Sequence, residues 1–156
     1  MGRPGPLTLR PAIRADAERL AEIHIVARAT AMPWLRIVHS DEETRWWMVQ
    51  VVLRRLEVCV AEHDREVAGF LALQDGFVEQ LYVAPDYWRD GVGSALLEQA
   101  KLRLAGGFRL WTFQRNAMAR TFYRKHGLID IRETDGSANE EREPDVLMEW
   151  RADRSP

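Results

Sequence analysis

The chain predicts a mixed α+β fold, a central and mostly antiparallel sheet with flanking helices and one parallel strand pair. Three observations predict it. Apolar segments of strand length, Glu57 to Glu62, Glu66 to Leu73 and Phe77 to Val83, follow one another across short polar turns, which is the pattern of an antiparallel meander. Phe77 to Val83 and Phe108 to Phe113 are separated instead by a helical stretch, and a crossover of that length joins parallel strands. Two segments with helical spacing precede the meander, and a strand pair closes the chain.

Taken in order, Leu7 to Arg10 reads as a first strand. Asp16 is placed to cap a helix whose apolar residues Leu20, Ile23, Val26 and Ala27 recur at helical spacing. Ser40 or Asp41 caps a second helix, with Glu42, Glu43 and Arg45 toward water and Trp46, Val49, Leu53 and Leu56 as its apolar stripe. The three meander strands follow, with His63-Asp64-Arg65 turning the first hairpin. A helix runs from about Gly93 to Leu104 and stops at Gly106-Gly107, and Asn116 starts a shorter one that Gly127 ends. Leu128 to Thr134 and Val146 to Trp150 pair across the polar segment Asp135 to Asp145.

With 156 residues and 46% hydrophobic content, the chain suits one domain, residues 1–156, with a core large enough to need no disulfide or metal staple. The single Cys59 lies in an apolar strand and reads as a small core residue, which fits a reducing, cytoplasmic setting. No apolar run is long enough to span a membrane, so no membrane partner is expected. A formal net charge of −2, with basic and acidic residues interspersed, argues against nucleic acid. His24, His39, His63 and His126 lack metal-ligand spacing.

The most telling segment is Leu81-Tyr82-Val83-Ala84-Pro85-Asp86-Tyr87-Trp88-Arg89-Asp90-Gly91-Val92-Gly93-Ser94. A strand breaks at a proline and restarts as a helix behind two glycines. Glycines let backbone approach a ligand, and a helix start offers unpaired N–H groups and the positive end of its dipole, so a phosphate or pyrophosphate is the natural occupant. The glycines also suit a tight turn or close helix packing. An ATP loop is disfavoured, because the lysine of a Gly-x-x-x-x-Gly-Lys-Ser/Thr sequence is missing. The segment resembles the acyl-CoA motif of the GNAT acetyltransferase superfamily, Gln/Arg-x-x-Gly-x-Gly/Ala after a strand, with Trp88 where the family usually has Gln or Arg. Asn116 to Leu128, with Phe122-Tyr123 before Gly127, is similar to the later motif of that family, and the order of elements is similar from end to end.

The resemblance implies a GNAT fold with a splayed parallel strand pair, and direct transfer of an acetyl group from acetyl-CoA to a primary amine on a small molecule, a peptide N-terminus or a lysine. Implied cofactor contacts are Leu81, Tyr82 and Val83 along pantetheine, Arg89, Asp90, Gly91, Val92, Gly93 and Ser94 around the pyrophosphate, and Asn116 and Tyr123 from the later helix. An N–H near Leu81 or Tyr82 would hold the oxyanion, and Tyr123 would protonate the thiolate. Glu79 is the candidate base, two residues before Leu81 and so on its face of a regular strand; the alternative is a solvated or salt-bridged glutamate on a sheet face, with a water chain as the base. For the acceptor, Trp34 and Trp46 can wall a pocket or pack in the core, and Glu141 and Glu143 can attract a cationic amine or simply solvate a hairpin tip. A non-catalytic acyl-CoA sensor is the rival, and the sheet edge and apolar helix faces leave room for a homodimer.

Overall fold

The computed structural model describes residues 6–153. Its sheet has seven strands in the order β1-β2-β3-β4-β5-β7-β6, formed by β1 Leu7–Pro11, β2 Glu57–His63, β3 Glu66–Gln74, β4 Phe77–Val83, β5 Gly107–Phe113, β6 Ile129–Glu133 and β7 Asp145–Arg151. Every neighbouring pair is antiparallel except β4 with β5. The helices are α1 Ala17–Ala31, α2 Asp41–Trp47, α3 Leu53–Arg55, α4 Val92–Arg103 and α5 Ala117–Lys125.

The core lies on both faces of β3. Its central residues, Ala68 to Leu73, are buried without alternation, because α1 covers one side and α4 the other. Leu20, Ala21, Ile23 and Ala27 of α1 are buried as their spacing predicts, whereas Val26 is 44% exposed. That position falls about 100° from its neighbours on the helix and turns away from the sheet. Asp16 does not cap α1 with its side chain. Its carboxylate instead accepts from Ile13 N at 2.8 Å, closing the turn before the helix, and takes two bonds from Arg10. Ser40 does cap α2, accepting from Glu43 N at 3.1 Å while Glu43 bonds back to Ser40 N at 2.9 Å.

Two departures from regular geometry shape the site. Met48–Val52, between α2 and α3, is a π-helical stretch that widens the helix just after the paired tryptophans. In β4, Leu73 pairs with Val78 and Ala72 with Gln80, so Glu79 is the extra residue of a bulge.

Candidate active site

β4 and β5 join at one register position, Phe77 opposite Arg109, with Arg109 N bonded to Gly76 O at 3.2 Å, and part beyond it. The alternation of antiparallel bonds decides which groups the gap exposes. Ala84 N bonds Ala68 O on β3 at 2.8 Å, so Tyr82, two residues earlier, also turns its backbone to β3, and Leu81 and Val83 turn theirs to the gap. Of the two candidate oxyanion donors, the Leu81 N–H therefore faces the opening and the Tyr82 N–H does not.

At the end of β4, Pro85–Tyr87 forms a single helical turn. Arg89 and Gly91 take positive φ, 73° and 83°, and α4 begins at Val92. Only glycine adopts that conformation without strain, which is why Gly91 stands there. The first helical bond is Ala95 N to Gly91 O at 3.0 Å. The amides of Arg89, Gly91, Val92, Gly93 and Ser94 have no acceptor among the described residues, so the loop and the helix start present a concave set of donors. Asp90 is the exception, its amide being turned to Tyr87 O at 3.2 Å. Arg89 is exposed beside these donors.

Trp88 departs from the family pattern and turns its one polar group back to the strand. Its indole Nε1–H donates to Val83 O at 2.8 Å, pinning the loop to the strand end. The amino-acid order alone does not show this bond, because it depends on the turn folding the ring back over β4.

The later motif meets the earlier one through Gly93. A Cβ there would lie 3.3 Å from Phe122 Cζ, so the glycine lets α5 close on the first turn of α4. Asn116 caps α5, its Oδ1 accepting from Ala119 N at 3.2 Å. Tyr123 packs against the core beside Phe122, ring centres 5.5 Å apart, and its hydroxyl has no hydrogen-bond partner among the described residues. Burial, and next the neighbouring Tyr82, push its pKa up, so it is a neutral donor at physiological pH.

On the α1 face of β4 lies a cleft of about 920 Å³. His24 and Gln80 line it, with Trp46 and Trp47 on one side and Glu140 and Glu141 on the other. Trp46 is 63% exposed, whereas Trp47 packs on His24 at 5.3 Å. Arg28 ties the cleft together, donating to Tyr82 Oη at 2.8 Å and to Glu141 at 3.1 Å. His24 is the residue that sequence reasoning missed, since a lone histidine on an amphipathic helix carries no spacing signal. Burial first, then the charge of Arg28, push its pKa down to about 3, so the ring is neutral. Its Nδ1 and the Gln80 Oε1 are both buried without a hydrogen-bond partner among the described residues.

The remaining candidates divide. Glu141 is in the cleft, but Glu143 pairs with Arg115 through two bonds of 2.9 Å. Arg115 also lies 4.1 Å from the ring of Trp34, which packs on Phe113, so Trp34 and Glu143 belong to this neighbouring cluster and not to the cleft wall. Glu79, on the bulge, is exposed and outside the cleft lining; its neighbour Gln80 enters instead. Gln80 lies two residues before Tyr82, which packs on His24, so Gln80 faces the cleft while Glu79, like Leu81, does not line it. Partial burial, then Asp75, push its pKa up.

Residues 54–127, which include the glycine loop and all of α5, match the family model of the acetyltransferase (GNAT) domain. Solved structures of similar fold include apo YjaB from Escherichia coli, 20% identical with TM-score 0.78 over 93% of this chain and 97% of that one. PaiA N-acetyltransferase from Thermoplasma acidophilum, in complex with coenzyme A, is 21% identical with TM-score 0.72 over 94% of this chain and 99% of that one. YncA, a putative acetyltransferase from Salmonella typhimurium with acetyl-CoA, is 20% identical with TM-score 0.70 over 97% of this chain and 96% of that one. The splayed strands, the donor-rich turn and the second motif closed on it thus belong to a chain whose residues 54–127 match a GNAT acetyltransferase domain and whose fold is similar to that of these structures.

Proposed function

We propose that the protein is an N-acetyltransferase that moves the acetyl group of acetyl-CoA directly to a primary amine on a small molecule or peptide. The observation that carries this reading is the continuity of three features along β4: free amides at the start of α4, an unpaired strand edge at Leu81 and Val83, and Tyr123 on the helix that closes over them. The free amides suit the diphosphate. Pantetheine amides suit the open edge as an added strand, with the Val83 carbonyl able to accept from both Trp88 and ligand through its two lone pairs.

The acceptor enters by the cleft on the opposite face of β4. Its aromatic and aliphatic walls suit an apolar body, and the carboxylates of Asp41, Glu42, Glu43 and Glu140 suit a cation at the mouth. The ammonium gives up a proton before attack; Glu79, with its raised pKa, takes it through water, since its side chain does not reach the cleft. The neutral amine then adds to the thioester carbonyl, the Leu81 N–H stabilises the oxyanion, the C–S bond breaks as Tyr123 donates to the thiolate, and the second proton lost from nitrogen restores Tyr123. Because burial raises the pKa of Tyr123 above that of an alkyl thiol, its contribution is chiefly a hydrogen bond to the departing sulfur, with the proton following.

The test is thiol release from acetyl-CoA across polyamines, aryl and alkyl monoamines, amino acids, aminoglycosides and peptides, beside calorimetric binding of CoA. Saturable CoA binding with amine-dependent release supports the reading. Binding without release by any amine makes the protein an acyl-CoA sensor, and absence of binding by folded protein removes both.

A further inference from the structure

The donor-rich turn has a second layer that acetyl transfer, as derived above, does not use. Ser94, whose amide is one of the free donors, places its Oγ 3.1 Å from His126 Nε2. The other ring nitrogen, Nδ1, lies 3.7 Å from Glu98 of the next turn of α4. The ring packs on Phe122 with centres 4.7 Å apart, and Phe122 is also the side chain that fills the space over Gly93. One hydroxyl thus joins the end of α5 to the first turn of α4.

The ring decides where the Ser94 proton points. A serine hydroxyl has one proton to give and two lone pairs to accept with. The Glu98 carboxylate beside Nδ1 favours the neutral tautomer with its hydrogen there, which accepts at Nε2 and turns the hydroxyl proton inward, away from the free amides. An imidazolium donates from Nε2 to Ser94, with its charge balanced by Glu98 beside Nδ1, and leaves the Ser94 O–H only an outward direction. An anion seated on the amides of Gly91 to Ser94 is stabilised by the second arrangement alone.

We infer that His126 is a positioning residue for the diphosphate of coenzyme A: the seated anion favours the imidazolium, which aims the Ser94 hydroxyl at the anion, so that binding takes up a proton. This rests on the CoA reading proposed above. The charged groups facing the ring are Glu98 and Lys101 from α4 and Lys125 from its own helix end. Trp150 of β7 lies under Lys101 at 5.3 Å and contacts Gly127. Burial and then Lys101 disfavour the charged ring in the empty protein, with Glu98 opposing them. A diphosphate supplies the negative charge that tips this balance.

The experiment is calorimetric titration with CoA from about pH 5.5 to 8.5, spanning the histidine range, in buffers of different ionisation enthalpy. Wild type is compared with His126→Gln, His126→Ala and Ser94→Ala, each checked for native circular dichroism. Dephospho-CoA is run in parallel, because the 3′-phosphate itself titrates near ~6. In wild type, binding takes up a fraction of a proton and tightens about tenfold toward acid for each unit by which the ring's pKa rises. His126→Gln, whose amide N–H donates without titrating, keeps its affinity at the alkaline end and loses the uptake. His126→Ala and Ser94→Ala weaken binding and lose the uptake too. Equal proton uptake by wild type and His126→Gln, or wild-type affinity in His126→Ala throughout, overturns the inference while leaving CoA binding intact. Failure of wild type to bind CoA at all removes the CoA reading and this inference together.

Discussion

In the proposed reaction Tyr123 gives a proton and Glu79 takes one, and each role has its own signature. Replacing Tyr123 with Phe keeps the ring against Phe122 and removes only the donor. The expected result is a loss of about 10²-fold in kcat with CoA affinity unchanged, and an unchanged kcat assigns the thiolate's proton to solvent. Glu79 acts when ionised, and its raised pKa means that activity falls as pH drops through that value. Glu79→Gln should remove this limb and move the rate profile to higher pH. A profile identical to wild type ends the assignment. Asp16 offers a stability test of the same kind. Its pKa is held down first by the bonds from Arg10, against the opposing effect of burial. A depressed carboxylate stabilises the fold above its unfolded pKa near ~3.9 and ceases to do so as pH falls through the folded value. Asp16→Asn should cost about 2 kcal/mol at neutral pH and flatten the acid side of the thermal-stability curve; a variant melting with the wild-type pH profile refutes it.

At the scale of elements, the α4–α5 contact is the joint on which both motifs depend. Gly93→Ala brings a methyl to 3.3 Å from Phe122 and should lower stability by about 1 kcal/mol. Adding Phe122→Leu should make the pair clearly non-additive in a double-mutant cycle of melting temperatures, and simple additivity would show that the two helices do not press on each other there. Much of this level was legible in the order of residues. The meander, the crossover and the two glycine-stopped helices follow from alternation, helical spacing and turn residues. What spacing could not reveal is whatever depends on a broken period or on a partner far along the chain. The bulge at Glu79 and the π-helical turn after Trp47 each interrupt a regular period, and the Trp88–Val83 bond needs a folded loop. His24 belongs to the same class, since only packing against Trp47 and Tyr82 makes it part of a site.

For the whole molecule, the separation of β4 from β5 is the governing fact. The sheet is two pieces, β1 to β4 and β5 to β6, each fully laddered within itself and joined by backbone at Phe77 and Arg109. A ligand bound only by the folded form stabilises it by about 2.7 kcal/mol at a hundred times its dissociation constant, which in a chain of this size is a rise of about 5–10 °C in Tm. Thermal melts with and without saturating CoA should show it, and coincident curves would contradict the proposed occupant. The same gap has a consequence for amide hydrogen exchange. Leu81 and Val83 have neighbours that are locked in the ladder to β3, yet their own protons face the gap between β4 and β5, so without ligand they should exchange with deuterium far faster than Tyr82 between them. Loading the slot should slow these two amides and leave Tyr82 almost unchanged, an every-other-residue footprint that marks the cofactor as the strand the polypeptide itself omits.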